Sequence, residues 1–156
     1  METMKYSFYG GDNPAVAALS PITNEYKGIG SPMDLYRELC ECWCEKTSPP
    51  RMRDRWTPEN KTLGQCSITA FLVQDIFGGE VYGIPLPGGF FHCFNIVDGI
   101  LFDLTNEQFG DKKLDYENRY PQSRRVHFDN KEKFERYELL KERLKMRCNY
   151  SDIFVP

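Results

Sequence analysis

No apolar run in this 156-residue chain approaches the length that crosses a bilayer. The opening METMKYSFYGGDNP has no basic segment leading into an apolar one, and Ala15 to Leu19 is too short for a secretory signal. Charge of one sign is not in excess either, since 20 Lys and Arg face 23 Asp and Glu for a formal net charge of −3. That balance argues against nucleic acid or an anionic membrane as the main partner. No segment repeats, and no linker divides the chain, so one domain over 1–156 is expected. Cytoplasmic residence follows as the default, and the oligomeric state stays open.

What is present is globular in character. With 40% hydrophobic and 28% charged residues the chain is neither disordered nor membrane-embedded, and its length suffices for a real core. Six cysteines would suggest a disulfide framework in a small secreted protein. Three of them, Cys40, Cys42 and Cys44, crowd into one predicted helix, and without an export signal reduced thiols are the better expectation.

Turn signals YGGDNP and KGIGSP make residues 1–30 an irregular N-terminal embellishment, with a short helix at 14–19. A helix is predicted from Ser31 to about Lys46, with Ser31 as cap, Pro32 in the first turn, and Leu35, Leu39 and Trp43 on one stripe. RMRDRWTPENK reads as a surface loop around Trp56. A second helix, Cys66 to Phe77, is apolar nearly all round and stops at Gly78-Gly79. Val81 to Gly89 reads as a loop, and Pro85 to Phe91 as a mobile flap. FFHCFNIV and ILFDLT flank Asp98-Gly99, a strong hairpin signal. An edge strand is predicted at Arg124 to Phe128, closing a core over 31–128. A final helix follows at 129–148, whose Lys and Arg alternate with Glu as a solvated face.

The chemistry concentrates between Gly64 and Thr105. Cys66 stands at a helix start, where unpaired N–H groups and the dipole favour a thiolate. A two-residue turn at Asp98-Gly99 opposes Val97 to Ile100, Phe94 to Asp103 and His92 to Thr105. Strand alternation then puts His92 and Asp103 on one face as diagonal neighbours, and puts Cys93, Asn95 and Phe102 on the other. Asp103 is therefore chosen over Asn95 to orient the His92 imidazole, giving a Cys66, His92, Asp103 triad. Each residue alone has a plainer reading: Cys66 as a small buried group, His92 as a hydrogen-bonded core residue, Asp103 as a turn cap. The oxyanion donors would be the Cys66 backbone N–H and one of the Gln65 side chain, the Trp56 indole N–H or a preceding backbone group. Trp56 reads equally as a core anchor. Gly64 permits the sharp entry into the helix.

WTPENKTLGQCSITAFLVQDIFGGEV and FFHCFNIVDGILFDLTNEQF resemble two signature blocks of the small YunG-like bacterial family, and LYRELCECWCEKTSP resembles its leading helix. The resemblance spans roughly residues 33–110. It extends to the papain-like and transglutaminase-like cysteine enzymes, in which Cys, His and Asp or Asn occur in this chain order. It implies an α+β fold, papain-like or transglutaminase-like, with the cysteine helix packed on a small antiparallel sheet. Cys66, His92 and Asp103 would be its triad and Gln65 an oxyanion contributor. Papain-like proteases carry that glutamine several residues before the cysteine, whereas here it is adjacent, as in transglutaminases.

A cysteine-dependent hydrolase or acyltransferase acting on a peptide or amide-containing small substrate is thus the expected function, with no cofactor. A non-catalytic scaffold that binds a peptide or protein partner competes with it. A metal site drawn from Cys40, Cys44, Cys66, His92 and Cys93 is disfavoured by ligand spacing. His127 reads as a surface or edge-strand residue.

Overall fold

In a computed structural model, which describes residues 8–150, Asn13 caps the single-turn helix α1 (Pro14–Ala17) through its side chain. The beginning of the predicted N-terminal embellishment, 1–7, and the tail 151–156 lie outside the described residues. Helix α2 (Pro32–Leu39) starts as its sequence implies, with Ser31 Oγ accepting from Asp34 N–H and Pro32 in the first turn. It ends seven residues before the expected Lys46. Trp43 turns inward there to donate its indole N–H to Thr69 Oγ1 at 2.9 Å. The Cys42 carbonyl, which a continuing helix would use internally, instead accepts from Arg143 Nε at 2.6 Å. Short 3-10 turns at Glu45–Thr47, Pro50–Arg55 and Pro58–Asn60 carry the chain to the next helix.

Helix α3 (Cys66–Phe77) is the centre of the core, with Ile68, Phe71, Leu72 and Ile76 buried. Burying each such side chain stabilises the fold by roughly 1.5–3 kcal/mol. Gly78 and Gly79, both at positive φ, end it. A Cβ at Gly79 would lie 2.4 Å from the Ile96 carbonyl oxygen, so only glycine lets the chain turn this close to the sheet.

The sheet has the order β3-β2-β1-β4, with all its pairs antiparallel, and is built from β1 (Glu80–Leu86), β2 (Phe90–Val97), β3 (Ile100–Phe102) and β4 (Tyr120–Pro121). β1 occupies most of the segment expected to be a loop. Its prolines and glycines misled the expectation, yet Val81 and Ile84 pack inward on opposite faces, and Pro85 lies beyond the part of β1 that β4 covers. The expected flap is consequently the tip of the β1-β2 hairpin, with Pro85 opposite Phe91 and Leu86 opposite Phe90. β2 and β3 join through Asp98 and Gly99, both at positive φ, with Val97 opposite Ile100 and Asn95 opposite Phe102. β3 ends at Phe102, so Thr105 is not a strand residue, and Asp103 pairs its backbone with Tyr9.

Arg124 to Phe128, expected as an edge strand, is the short helix α4 (Arg124–Phe128), capped by Ser123 Oγ accepting from Val126 N–H. The edge strand is β4, just upstream. Arg124 ties α4 to the end of α3 by donating to the Phe71 carbonyl, Gln74 Oε1 and Asp75 Oδ1. Helix α5 (Lys131–Tyr150) lays Tyr137, Leu140 and Leu144 against α3 and α2. One core thus lies between the helices and one sheet face, and a smaller cluster of Ile84, Phe94 and Tyr116 covers the other face. The architecture is α+β with a small antiparallel sheet. All six cysteines are free thiols, and among the described residues no helix is long and apolar enough to cross a membrane.

Candidate active site

The entry to α3 is set by backbone geometry. Gly64 has φ +75, and a Cβ there would lie 2.5 Å from Pro49 Cδ and 2.6 Å from Ser48 Oγ. This tight turn delivers Cys66 to the first turn of a buried helix, where the positive end of the dipole favours a thiolate. Gly64 N–H donates to Gln108 Oε1 at 3.2 Å, and Gln108 Nε2 donates to the Thr105 carbonyl at 3.0 Å. Gln108 thereby braces the cysteine turn against the segment that follows Asp103.

His92 and Asp103 are both completely buried, and His92 Nε2 lies 2.6 Å from Asp103 Oδ2. The hairpin register brings them together, as the alternation of β2 and β3 implies. Asp103 Oδ2 also accepts from the Tyr116 hydroxyl at 2.8 Å, and Oδ1 accepts from Thr105 N–H at 3.0 Å. These donors fix the orientation of the carboxylate. The Phe109 ring meets His92 edge to face, with centroids 4.8 Å apart. His92 Nδ1, the nitrogen away from Asp103, is buried and has no hydrogen-bond partner among the described residues.

Cys66 lies beside β2, its sulfur 3.7 Å from the Phe91 carbonyl oxygen, and interacts with the side chains of both following residues. Its pKa is held well below the ordinary 9.0: a hydrogen bond from the Cys93 thiol stabilises the thiolate, burial opposes it, and His92 adds its positive charge. Cys93 is driven the other way, first by that same bond and then by burial. Burial works against a charged His92, yet the Asp103 carboxylate and then Cys66 outweigh it and raise the pKa to about 10. Both shifts run in the direction that favours a thiolate beside an imidazolium.

Asn95 faces α3, as expected, and its Nδ2 donates to the Ala70 carbonyl at 2.8 Å rather than to His92. Gln65 and Trp56 do not line the cleft that Cys66 and His92 share. Gln65 is fully buried with Nε2 donating to the Cys44 carbonyl, and the Trp56 indole donates to the Lys61 carbonyl. Both candidate side-chain donors are thus spent elsewhere, which leaves the Cys66 backbone N–H at the helix start and a backbone group of the preceding loop. The cleft holds about 220 Å³, small beside the roughly 300–1,000 Å³ usual for ligand pockets. It suits one side chain or a small acyl group.

Sequence reasoning missed Tyr116, Gln108 and one wall of this cleft. His127, expected at the surface or on an edge strand, is half-buried there, with Nε2 2.7 Å from Gln122 Oε1 and Nδ1 2.9 Å from Lys133 Nζ. Only a helical α4 running into α5 brings these residues to the cysteine, and no local pattern announces it. Among the described residues, no group of three or more Cys, His, Asp or Glu is arranged to hold a metal ion.

A family model described as "YunG protein" matches residues 31–149, extending through α5 and beyond the 33–110 span of the signature blocks. The "Uncharacterized protein YunG" of Bacillus subtilis (strain 168) is 34% identical over 112 residues, covering 71% of this chain and 89% of that one. No solved structure matches.

Proposed function

The chain belongs to the YunG family, and on that footing we propose that it is a cysteine-dependent hydrolase or acyltransferase acting on an amide or peptide-like carbonyl. The observation that carries this reading is the two-sided use of His92. Nε2 is held by Asp103 at 2.6 Å, while the buried Nδ1 has no hydrogen-bond partner and is left for the Cys66 side.

Cys66 thiolate attacks the carbonyl carbon, forming a C–S bond, and the oxyanion turns to the N–H at the start of α3. His92 imidazolium gives its proton to the departing amine nitrogen as the C–N bond breaks. Water or an amine then attacks the thioester, His92 takes its proton, and the C–S bond breaks to restore the thiolate. Asp103 holds the tautomer and the charge of His92 throughout. The order Cys, His, Asp and the packing of α3 on an antiparallel sheet favour a papain-like or transglutaminase-like scaffold for this chemistry, acting in the cytoplasm.

Iodoacetamide labelling at pH 7, read by mass spectrometry, tests the reading. Cys66 is expected to react about tenfold or more faster than a free thiol, because an ordinary thiol is only a few per cent ionised there. His92→Ala removes the advantage. Should Cys66 react no faster than glutathione, and His92→Ala change nothing, the catalytic role fails and a peptide-binding cleft replaces it.

A further inference from the structure

Resting on that reading of Cys66, we propose that the substrate carries a carboxylate, bound in the cleft by Lys133 and Arg51. In a chain of net charge −3 the cleft is positive, lined by Arg51, Lys133 and Arg136 against the single carboxylate of Glu132. Glu132 is already engaged, 2.6 Å from Arg136 Nε and 3.8 Å from Arg53 Nη2. Neither Lys133 nor Arg51 has a carboxylate within ion-pair distance among the described residues.

Lys133 is the more telling of the two. It is half-buried in the first turn of α5, where the helix dipole favours an anion and penalises a cation. Its ammonium donates to His127 Nδ1 at 2.9 Å, and His127 is kept neutral, its pKa pushed down to about 4 by burial and then by Lys133 itself. The relay behind it is fixed. Gln122 Nε2 donates to the Tyr120 carbonyl at 3.1 Å, which turns Gln122 Oε1 to accept from His127 Nε2–H and leaves Nδ1 as the acceptor. A neutral imidazole orients the ammonium without neutralising it. Burial pulls the Lys133 pKa down, while Cys93 and Cys66 pull it up, so the ammonium lies within the electrostatic reach of the nucleophile. Arg51 lines the same cleft, its guanidinium stacked 4.1 Å over the Phe90 ring at the hairpin tip. A half-buried cation in an unfavourable place without a carboxylate partner is a cost to folding that an incoming carboxylate offsets.

The test compares iodoacetate with iodoacetamide at Cys66, each rate divided by that of the same reagent with the urea-unfolded chain. The absolute iodoacetamide rate reports the nucleophile, and the normalised iodoacetate-to-iodoacetamide ratio reports the charge, so the two readings fail separately. The ratio is expected to exceed one, and to fall about fivefold or more in Lys133→Gln with Arg51→Gln. Lys133→Arg, which keeps the charge, is expected to retain it and controls for lost packing. A ratio at or below one, or one that Lys133→Gln with Arg51→Gln leaves unchanged, overturns the proposal even if iodoacetamide reacts fast. Protection of Cys66 by N-acetylalanine assigns the carboxylate to a chain terminus, and protection by N-acetylglutamic acid α-amide assigns it to an acidic side chain. Equal protection by the uncharged N-acetylalanine amide counts against it.

Discussion

The Tyr116 hydroxyl donates to Asp103 Oδ2, the same oxygen that lies 2.6 Å from His92 Nε2. Two donors on one carboxylate oxygen share its basicity, so Tyr116 sets how strongly Asp103 holds the imidazolium. Burial and the Asp103 charge push the Tyr116 pKa upward, which keeps the phenol a donor over the working range. Tyr116→Phe leaves His92 as the sole donor on that oxygen, and the His92 pKa is expected to rise further. Losing a buried hydrogen bond to a charged group costs about 1.5–3 kcal/mol of stability. Imidazole NMR titration reads the first effect cleanly, since the chain has two histidines and burial pushes the other one down to about 4. A fall in the His92 pKa would refute the shared-oxygen account.

The ion pair makes its own pH signature. With Cys66 held well below 9.0 and His92 raised to about 10, the thiolate is formed at neutral pH and the imidazolium persists into alkaline solution. The iodoacetamide rate at Cys66 should therefore stay level from pH 7 to about 9, where a free thiol climbs steeply through its ordinary pKa. A profile that climbs like that of glutathione would remove the ion pair.

The same protons control stability. Between His92's ordinary 6.5 and the thiol's ordinary 9.0, the unfolded chain holds its proton on cysteine and the folded chain holds it on histidine. The proton counts match, so the pair gives no slope with pH there. Cys66→Ser removes the thiol together with its share of the rise, and leaves a histidine raised by Asp103 alone. Its contribution is fully present below about 6.5 and is lost as pH rises toward the folded pKa. Stability of that variant should fall from pH 6.5 upward by as much as about 1.4 kcal/mol per pH unit, and that of the parent chain should not. Urea midpoints at pH 6.5 and 8.5 decide it.

Much of the dyad was legible because a β-hairpin with Asp-Gly at its turn has little freedom of register. Once Val97 opposes Ile100, the faces of His92, Asn95 and Asp103 are fixed, and Asn95 goes to the helix side. The cysteine helix was equally readable from its apolar content and its glycine stop. Less legible was whatever depends on a distant partner. Helix α2 stops early because Trp43 finds Thr69 and the Cys42 carbonyl finds Arg143, contacts made across the core. Gln65 looked like an oxyanion donor by position, yet burial turns its amide to Cys44. The cleft wall of His127 and Lys133 comes from α4, where local propensity at 124–128 suggests a strand, and from α5, which reads as a helix in sequence and structure alike.

Asn95 and Asp103 separate structure from chemistry. Asn95→Ala removes a buried donor to the Ala70 carbonyl and should cost about 1–3 kcal/mol, leaving Cys66 labelling intact. Asp103→Asn keeps the shape but gives up the charge that holds the imidazolium, so the His92 pKa and the Cys66 labelling rate at pH 7 should both fall. Slower labelling in Asn95→Ala with no change in Asp103→Asn would reverse the assignment of the orienting residue.

Gly64→Ala addresses the turn that aims the nucleophile. The substitution places a Cβ 2.5 Å from Pro49 Cδ and 2.6 Å from Ser48 Oγ, at a φ of +75 that alanine resists. Left-handed backbone costs about 1–2 kcal/mol and overpacking about 1–3, so a loss of roughly 2–4 kcal/mol is expected. Relief of the clash must move the Gly64 N–H away from Gln108 or shift the start of α3, and either displaces Cys66 relative to Phe91 and His92. The remaining folded protein should then label at Cys66 at a rate near that of a free thiol. If Gly64→Ala lowers the urea midpoint yet labels at the parent rate, the turn serves packing alone, and the position of Cys66 is set from within α3.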